Sequence, residues 1–162
     1  MRQFELSTDI PAGQERSWRT LVRLDEWSAW NQLVPQAKGD LRPGSILDLK
    51  IRGRSGRLSS FRPAVVSLAP PGELVLEASV GRRWLLHMVH TFSVERMAPE
   101  ASRLRQHWVA TGLLAPMLWP VIRNGMARFA QLGSDLALRT AQTGPEGAAQ
   151  PSVAADGASP RR

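Results

Sequence analysis

From residue 2 to residue 10 apolar and polar positions alternate, with Phe4, Leu6, Thr8 and Ile10 on one face. A period of two predicts a strand. Pro11 then opens a helical stretch with Trp18, Leu21 and Val22 on one side. Proline suits a helix start because its φ is already set and the N–H it lacks would find no partner there. Asp25 is placed to cap a second short helix carrying Trp27 and Trp30, which are three apart and so share a face. After that helix the period returns to two. Strand-like runs at 33–38, 45–52, 58–68, 73–80, 84–95 and 102–111 are separated by Gly- and Pro-containing turns at 41–44, 53–57, 69–72 and 81–83 and by a turn around 98–100. Short turns between alternating runs predict an antiparallel meander.

The last periodic stretch, 115–141, repeats Leu118, Ile122, Met126, Phe129, Leu132 and Leu136 at spacings of three and four, with Arg123, Arg128 and Arg139 off that stripe. This predicts a long amphipathic helix. Pro116 fits its first turn, while Pro120 predicts a kink or a restart. The pattern therefore predicts an α+β fold class: an antiparallel meander of about seven strands, two short helices between strands 1 and 2, and a long C-terminal helix. One domain, residues 1–141, is expected. Residues 142–162 are rich in Gly, Pro, Ala and Ser, with Val153 the single large aliphatic residue, and are expected to form a disordered tail.

Composition narrows the chemistry. The 162 residues suit one domain able to bury a core. No apolar run approaches the ~18 residues of a membrane span, and no apolar segment follows Arg2 as a secretory signal requires, so a cytoplasmic protein is expected. The absence of cysteine excludes a disulfide framework, a thiolate-bound metal and a thiol nucleophile. The net charge of +7 is nearly all arginine, 19 against 2 lysines. Nucleic-acid binding would need a basic face interleaved with exposed aromatics, and the six tryptophans instead read as inward, so no nucleic-acid partner is expected.

Few residues are left for acid–base work: three histidines and no tyrosine. His90 shares the inward parity of Met88 and Phe92, where a neutral imidazole can hydrogen-bond a ligand carbonyl or hydroxyl or act as a base. His87 and His107 take the opposite parity and are expected to face solvent. Gln106 shares the inward parity of Leu104, Trp108 and Ala110 and can offer an amide. His90 and Gln106 are weak catalytic candidates. No carboxylate shares the inward face of the strand that carries His90, and Ser28 and Ser45 lack an adjacent base. No metal site and no cofactor are expected, because no further ligands join His90 at metal-site spacing.

The order of elements resembles the helix-grip arrangement of the START/SRPBCC superfamily, which includes polyketide cyclase/dehydrase-like proteins. Local segments carry the same likeness across about residues 3–141. Ile10-Pro11-Ala12 with Trp18 and Leu21 resembles the family's approach to its first helix, with Trp18 in the apolar slot. Trp27-Ser28-Ala29-Trp30-Asn31 resembles its W-x-x-W-N, and the turn 41–44 with Leu47 its G-x-x-L hairpin. Phe61-Arg62-Pro63-Ala64-Val65 resembles its F-x-P-x-V strand. His90-Thr91-Phe92 and Gly112-Leu113-Leu114 resemble its H-x-F and G-L-L segments. The resemblance implies a curved sheet wrapped around the long C-terminal helix, with an apolar cavity between them, and no single activity.

The lining expected for that cavity is Trp27, Trp30, Leu49, Phe61, Leu76, Met88, His90, Trp108, Ile122, Met126 and Phe129. In a simple meander the turns at 53–57 and 81–83 fall at one end, the end where the resemblance implies the cavity opens. Arg54, Arg57, Arg82 and Arg83 are therefore expected to ring its mouth and to favour a ligand with an anionic head. Two functions follow: a carrier or sensor of an apolar small molecule such as a lipid or polyketide, or a polyketide cyclase/dehydrase-like enzyme using the same cavity.

Overall fold

The computed structural model describes residues 1–144. In chain order the elements are β1 (Arg2–Ile10), α1 (Gln14–Val22), a 3-10 turn (Leu24–Glu26), α2 (Trp27–Trp30), β2 (Gln36–Lys38), β3 (Asp48–Arg52), β4 (Leu58–Phe61) and β5 (Ala64–Ala69). β6 (Glu73–Val80), β7 (Leu86–Ala98), β8 (Ala101–Thr111), α3 (Ala115–Ala127) and α4 (Ala130–Thr143) follow. α4 thus continues past residue 141 into the segment expected as a tail, and residues 145–162 lie outside the described residues.

Two antiparallel sheets form, ordered β1-β8-β7-β6-β5 and β2-β3-β4. The run 58–68, expected as one strand, is split by Pro63, which has no N–H for a ladder. Its halves enter different sheets, so the described residues form eight strands where about seven were expected. A bridge between Ile46 and Ala64 and the bond from the Leu47 N–H to the Pro63 carbonyl (2.9 Å) sew the sheets together at this corner. Asp25 caps nothing; it lies within the 3-10 turn that runs directly into α2. Trp84 lies before β7 begins, on the turn from Gly81 to Leu85, and is 61% exposed.

The C-terminal helical segment crosses the concave face in two pieces. Pro120 sits inside α3 without ending it, and helical bonding breaks instead at Arg128 and Phe129. Gln106, fully buried on β8, donates from Nε2 to the Phe129 carbonyl at 3.0 Å and ties this break to the sheet. The larger core lies under α4, whose Leu132 and Leu136 belong to one buried cluster with Ile10, Leu21, Leu74, Val94 and Leu104. A separate small cluster of Leu86, Ala110 and Ala115 lies under α3. Side chains therefore fill one half of the grip densely and the other sparsely.

Close approach of α4 to β1 depends on Gly133: a Cβ there would stand 2.4 Å from the Thr8 hydroxyl oxygen and 3.0 Å from its Cβ. Thr8 is β-branched and fixed on a paired strand, so the helix must lift instead. Gly133→Ala is expected to cost about 1–3 kcal/mol in urea denaturation despite its better helix propensity; a neutral or stabilising result would show that the contact relaxes freely.

Candidate functional site

Between the sheets and the α3–α4 junction lies a cavity of about 250 Å³. Its floor is Leu76, Met88, His90 and Trp108 on β6–β8. Leu49 and Phe61 come from the smaller sheet, Trp27 from α2, and Ile122, Met126 and Phe129 from the helices above. All ten were expected there from the sequence. Trp30 does not reach the lining; it is partly buried and meets Trp27 edge-on at 5.9 Å. Gln106 also lies outside the lining, held by the helix break.

Further walls, not expected from the sequence, come from Leu33, Val34, Ile51, Pro63 and Val121. Leu33 and Val34 precede β2 in irregular chain, and Val121 follows Pro120, so no period marks them as inward. The space exists because Ala78 and Gly125 contribute little volume where larger residues would close it.

His90 is the polar centre of this apolar chamber. Its ring stacks on Trp108 at 4.1 Å, lies 3.8 Å from Phe92, and receives the edge of Phe129 at 5.3 Å. Nε2 is buried without a hydrogen-bond partner. Loss of solvation among these rings pushes the imidazole pKa well below its ordinary value. The Gln106 side chain partly opposes that shift, and charge on His107 adds to it. His90 is thus neutral at pH 7, and a neutral imidazole offers a donor or an acceptor at Nε2 to whatever enters.

A pH dependence follows with a definite sign. Below about pH 6.5 the unfolded chain takes up a proton that the folded His90 refuses, so folding stability falls as pH drops through the ordinary imidazole pKa. The slope from this one group approaches about 1.4 kcal/mol per pH unit and vanishes above that pKa. Urea denaturation at about pH 7.5 and about pH 5.5 is expected to show a steeper loss for the native chain than for His90→Gln. Equal losses would mean that the imidazole protonates freely in the folded state.

The rim differs from the expected ring of arginines. None of Arg54, Arg57, Arg82 or Arg83 lines the cavity; the charged lining residues are Glu77 and Arg128. The turn at 53–57 belongs to the smaller sheet, so the end-parity of a single meander does not carry over to it. Of the four, Arg83 reaches a lining residue, pairing with Glu77 at 3.2 Å. His87, expected to face solvent, is mostly covered on the outer face. Ser79 Oγ lies 3.0 Å from its Nδ1 and an Arg83 nitrogen 3.1 Å from its Nε2. Glu77 is thereby compensated, while Arg128 makes no ion pair among the described residues. No group of three or more potential metal ligands forms among the described residues, and no described helix is long and apolar enough to cross a membrane.

No protein-family model matches the chain, and no curated protein sequence does. Solved structures do match its fold. A START superfamily protein from Mycobacterium smegmatis aligns with a TM-score of 0.69 at 17% identity, over 87% of this chain and 98% of its own. Norcoclaurine synthase from Thalictrum flavum, in complex with dopamine and hydroxybenzaldehyde, aligns with a TM-score of 0.67 at 9% identity, over 87% of each chain. The di-domain ARO/CYC protein StfQ from the steffimycin biosynthetic pathway aligns with a TM-score of 0.62 at 18% identity, over 87% of this chain and 50% of its own. Eight strands, the short helices after β1 and the C-terminal helix laid across the sheet thus form the START/SRPBCC helix-grip fold.

Proposed function

We propose that the protein binds a compact, apolar, ring-containing small molecule in the cavity under the α3–α4 junction, as a carrier or sensor working in the cytoplasm. The observation that carries this reading is the unpartnered Nε2 of His90 inside an aromatic chamber. A buried polar atom left without a partner costs free energy that a ligand hydroxyl or carbonyl recovers. Size restricts the class further. An apolar cavity of about 150 Å³ takes benzene, so about 250 Å³ suits one or two fused rings rather than an extended acyl chain. Arg128 at the rim favours a carboxylate or phosphate on the outer end of such a ligand.

Trp27, Leu49, Phe61, Leu76, Met88, Trp108, Ile122, Met126 and Phe129 supply the apolar contact in this reading, and His90 the polar one. Native mass spectrometry of protein purified from its own host, followed by solvent extraction, tests it. A stoichiometric adduct that yields an aromatic molecule supports the proposal, and an extended lipid would contradict it.

A second reading, a polyketide cyclase-like enzyme, is favoured by the same neutral imidazole, which can accept a proton or polarise a carbonyl. It requires turnover that His90→Gln abolishes while apolar binding persists.

A further inference from the structure

The turn before helix α3 and the helix itself carry exposed apolar residues. Leu113, Met117 and Val121, four residues apart, are 72%, 69% and 73% exposed. The turn from Gly81 to Leu85 is fastened beside them: the Leu113 N–H donates to the Trp84 carbonyl and the Leu114 N–H to the Leu85 carbonyl, both at 2.9 Å. That turn adds the exposed Trp84 to the same ridge. Contiguous apolar surface of this kind marks an interaction site. Val121 also lines the cavity, so the ridge is continuous with the rim.

Charge identifies the occupant. Arg82 and Arg83 are exposed on the turn that carries Trp84, and Arg123 is exposed on α3, 5.8 Å over the Phe4 ring. No acidic residue occurs between Glu100 and Asp135, and Glu77 on the adjoining hairpin is already paired with Arg83. A second copy packed symmetrically on this face would bring arginines together with no acid to meet them. Residues 113–122 offer no polar side-chain group except the Trp119 indole, so a polar protein surface would find few hydrogen bonds there. A lipid surface needs none, and apolar side chains with a tryptophan and exposed arginines are what an anionic bilayer interface accepts.

We propose that this ridge seats the protein on an anionic lipid surface, with Leu113, Met117 and Trp84 among the headgroups and acyl boundary, and the rim at Val121 facing the bilayer. Ligand exchange through that rim would rest on the cavity reading above; the docking itself does not.

Flotation of the full chain with vesicles tests it. Binding is expected with mixed phosphatidylcholine and phosphatidylglycerol, at least tenfold weaker with phosphatidylcholine alone, and weakened by added salt. Leu113→Ser combined with Met117→Ser, both outside the cavity lining, is expected to lower binding at least tenfold, and Arg82→Glu to lower it for the anionic vesicles. His90→Gln is expected to leave it unchanged. The proposal is overturned if the double variant binds as well as the native chain, or if anionic vesicles do not bind at all. It is equally overturned by a dimer in sedimentation velocity that the double variant dissolves, which would assign the ridge to a second copy, and by loss of binding in His90→Gln, which would trace it to the cavity.

Discussion

Replacing Phe92 by alanine is expected to cost about 3–5 kcal/mol of folding free energy. Phe92 is 2% exposed and belongs both to the dense core under α4 and to the cavity wall, its ring 3.8 Å from that of His90. Deleting it removes the burial of a large ring and enlarges a space of about 250 Å³ that the fold already leaves open, so the neighbours have little to collapse onto. Leu113→Ala, at a position 72% exposed, is the control and should change stability by no more than about 0.5 kcal/mol. Both are read by urea denaturation. A loss below about 1 kcal/mol for Phe92→Ala would mean that α3 or the smaller sheet closes over the gap, and that the wall is far softer than the packing shows.

Ala78→Trp is expected to abolish binding of ring compounds, lowering affinity at least about a hundredfold, which corresponds to about 2.7 kcal/mol. Ala78 lies opposite Met88 in the β6–β7 ladder and lines the cavity with a single methyl group. An indole built there occupies open space instead of displacing packed neighbours, so the strain that usually attends a small-to-large change is relieved. The melting temperature should therefore hold or rise while binding disappears, and that opposite movement separates a filled cavity from a damaged fold. Unchanged affinity would place any ligand elsewhere on the molecule.

The sequence made some of this architecture legible because one physical signal dominated. Along β8 the buried set Ser102, Leu104, Gln106, Trp108 and Ala110 follows strict alternation, so parity alone places Trp108 inward and, through the paired strand, His90 beside it. The apolar stripe of the C-terminal segment likewise places Ile122, Met126 and Phe129 over the sheet. Features governed by a single residue against a longer pattern are not legible in this way. Pro63 divides an apparently continuous strand, and Trp84 fits the alternation of β7 yet falls on the turn before it. Pro120 is the visible candidate for a helix break, but the break comes at Arg128 and Phe129, where Gln106 on β8 donates to the Phe129 carbonyl. That contact spans sequence positions no local period connects. The charge at the rim was lost for the same reason, since the end at which a hairpin lies depends on which sheet it joins.

If an apolar ring enters this chamber and meets His90, a single titration reveals it. Naphthalene and 1-naphthol have the same fused rings and differ by a hydroxyl that can donate to or accept from Nε2. Followed through the fluorescence of the native chain, whose Trp27 and Trp108 line the chamber, both should saturate at one site. Naphthol should bind roughly tenfold more tightly, as expected for about 1.4 kcal/mol from one recovered hydrogen bond. Absence of saturable binding by either compound would mean that the chamber takes no ring, and equal affinity for the two would mean that no ligand group reaches Nε2.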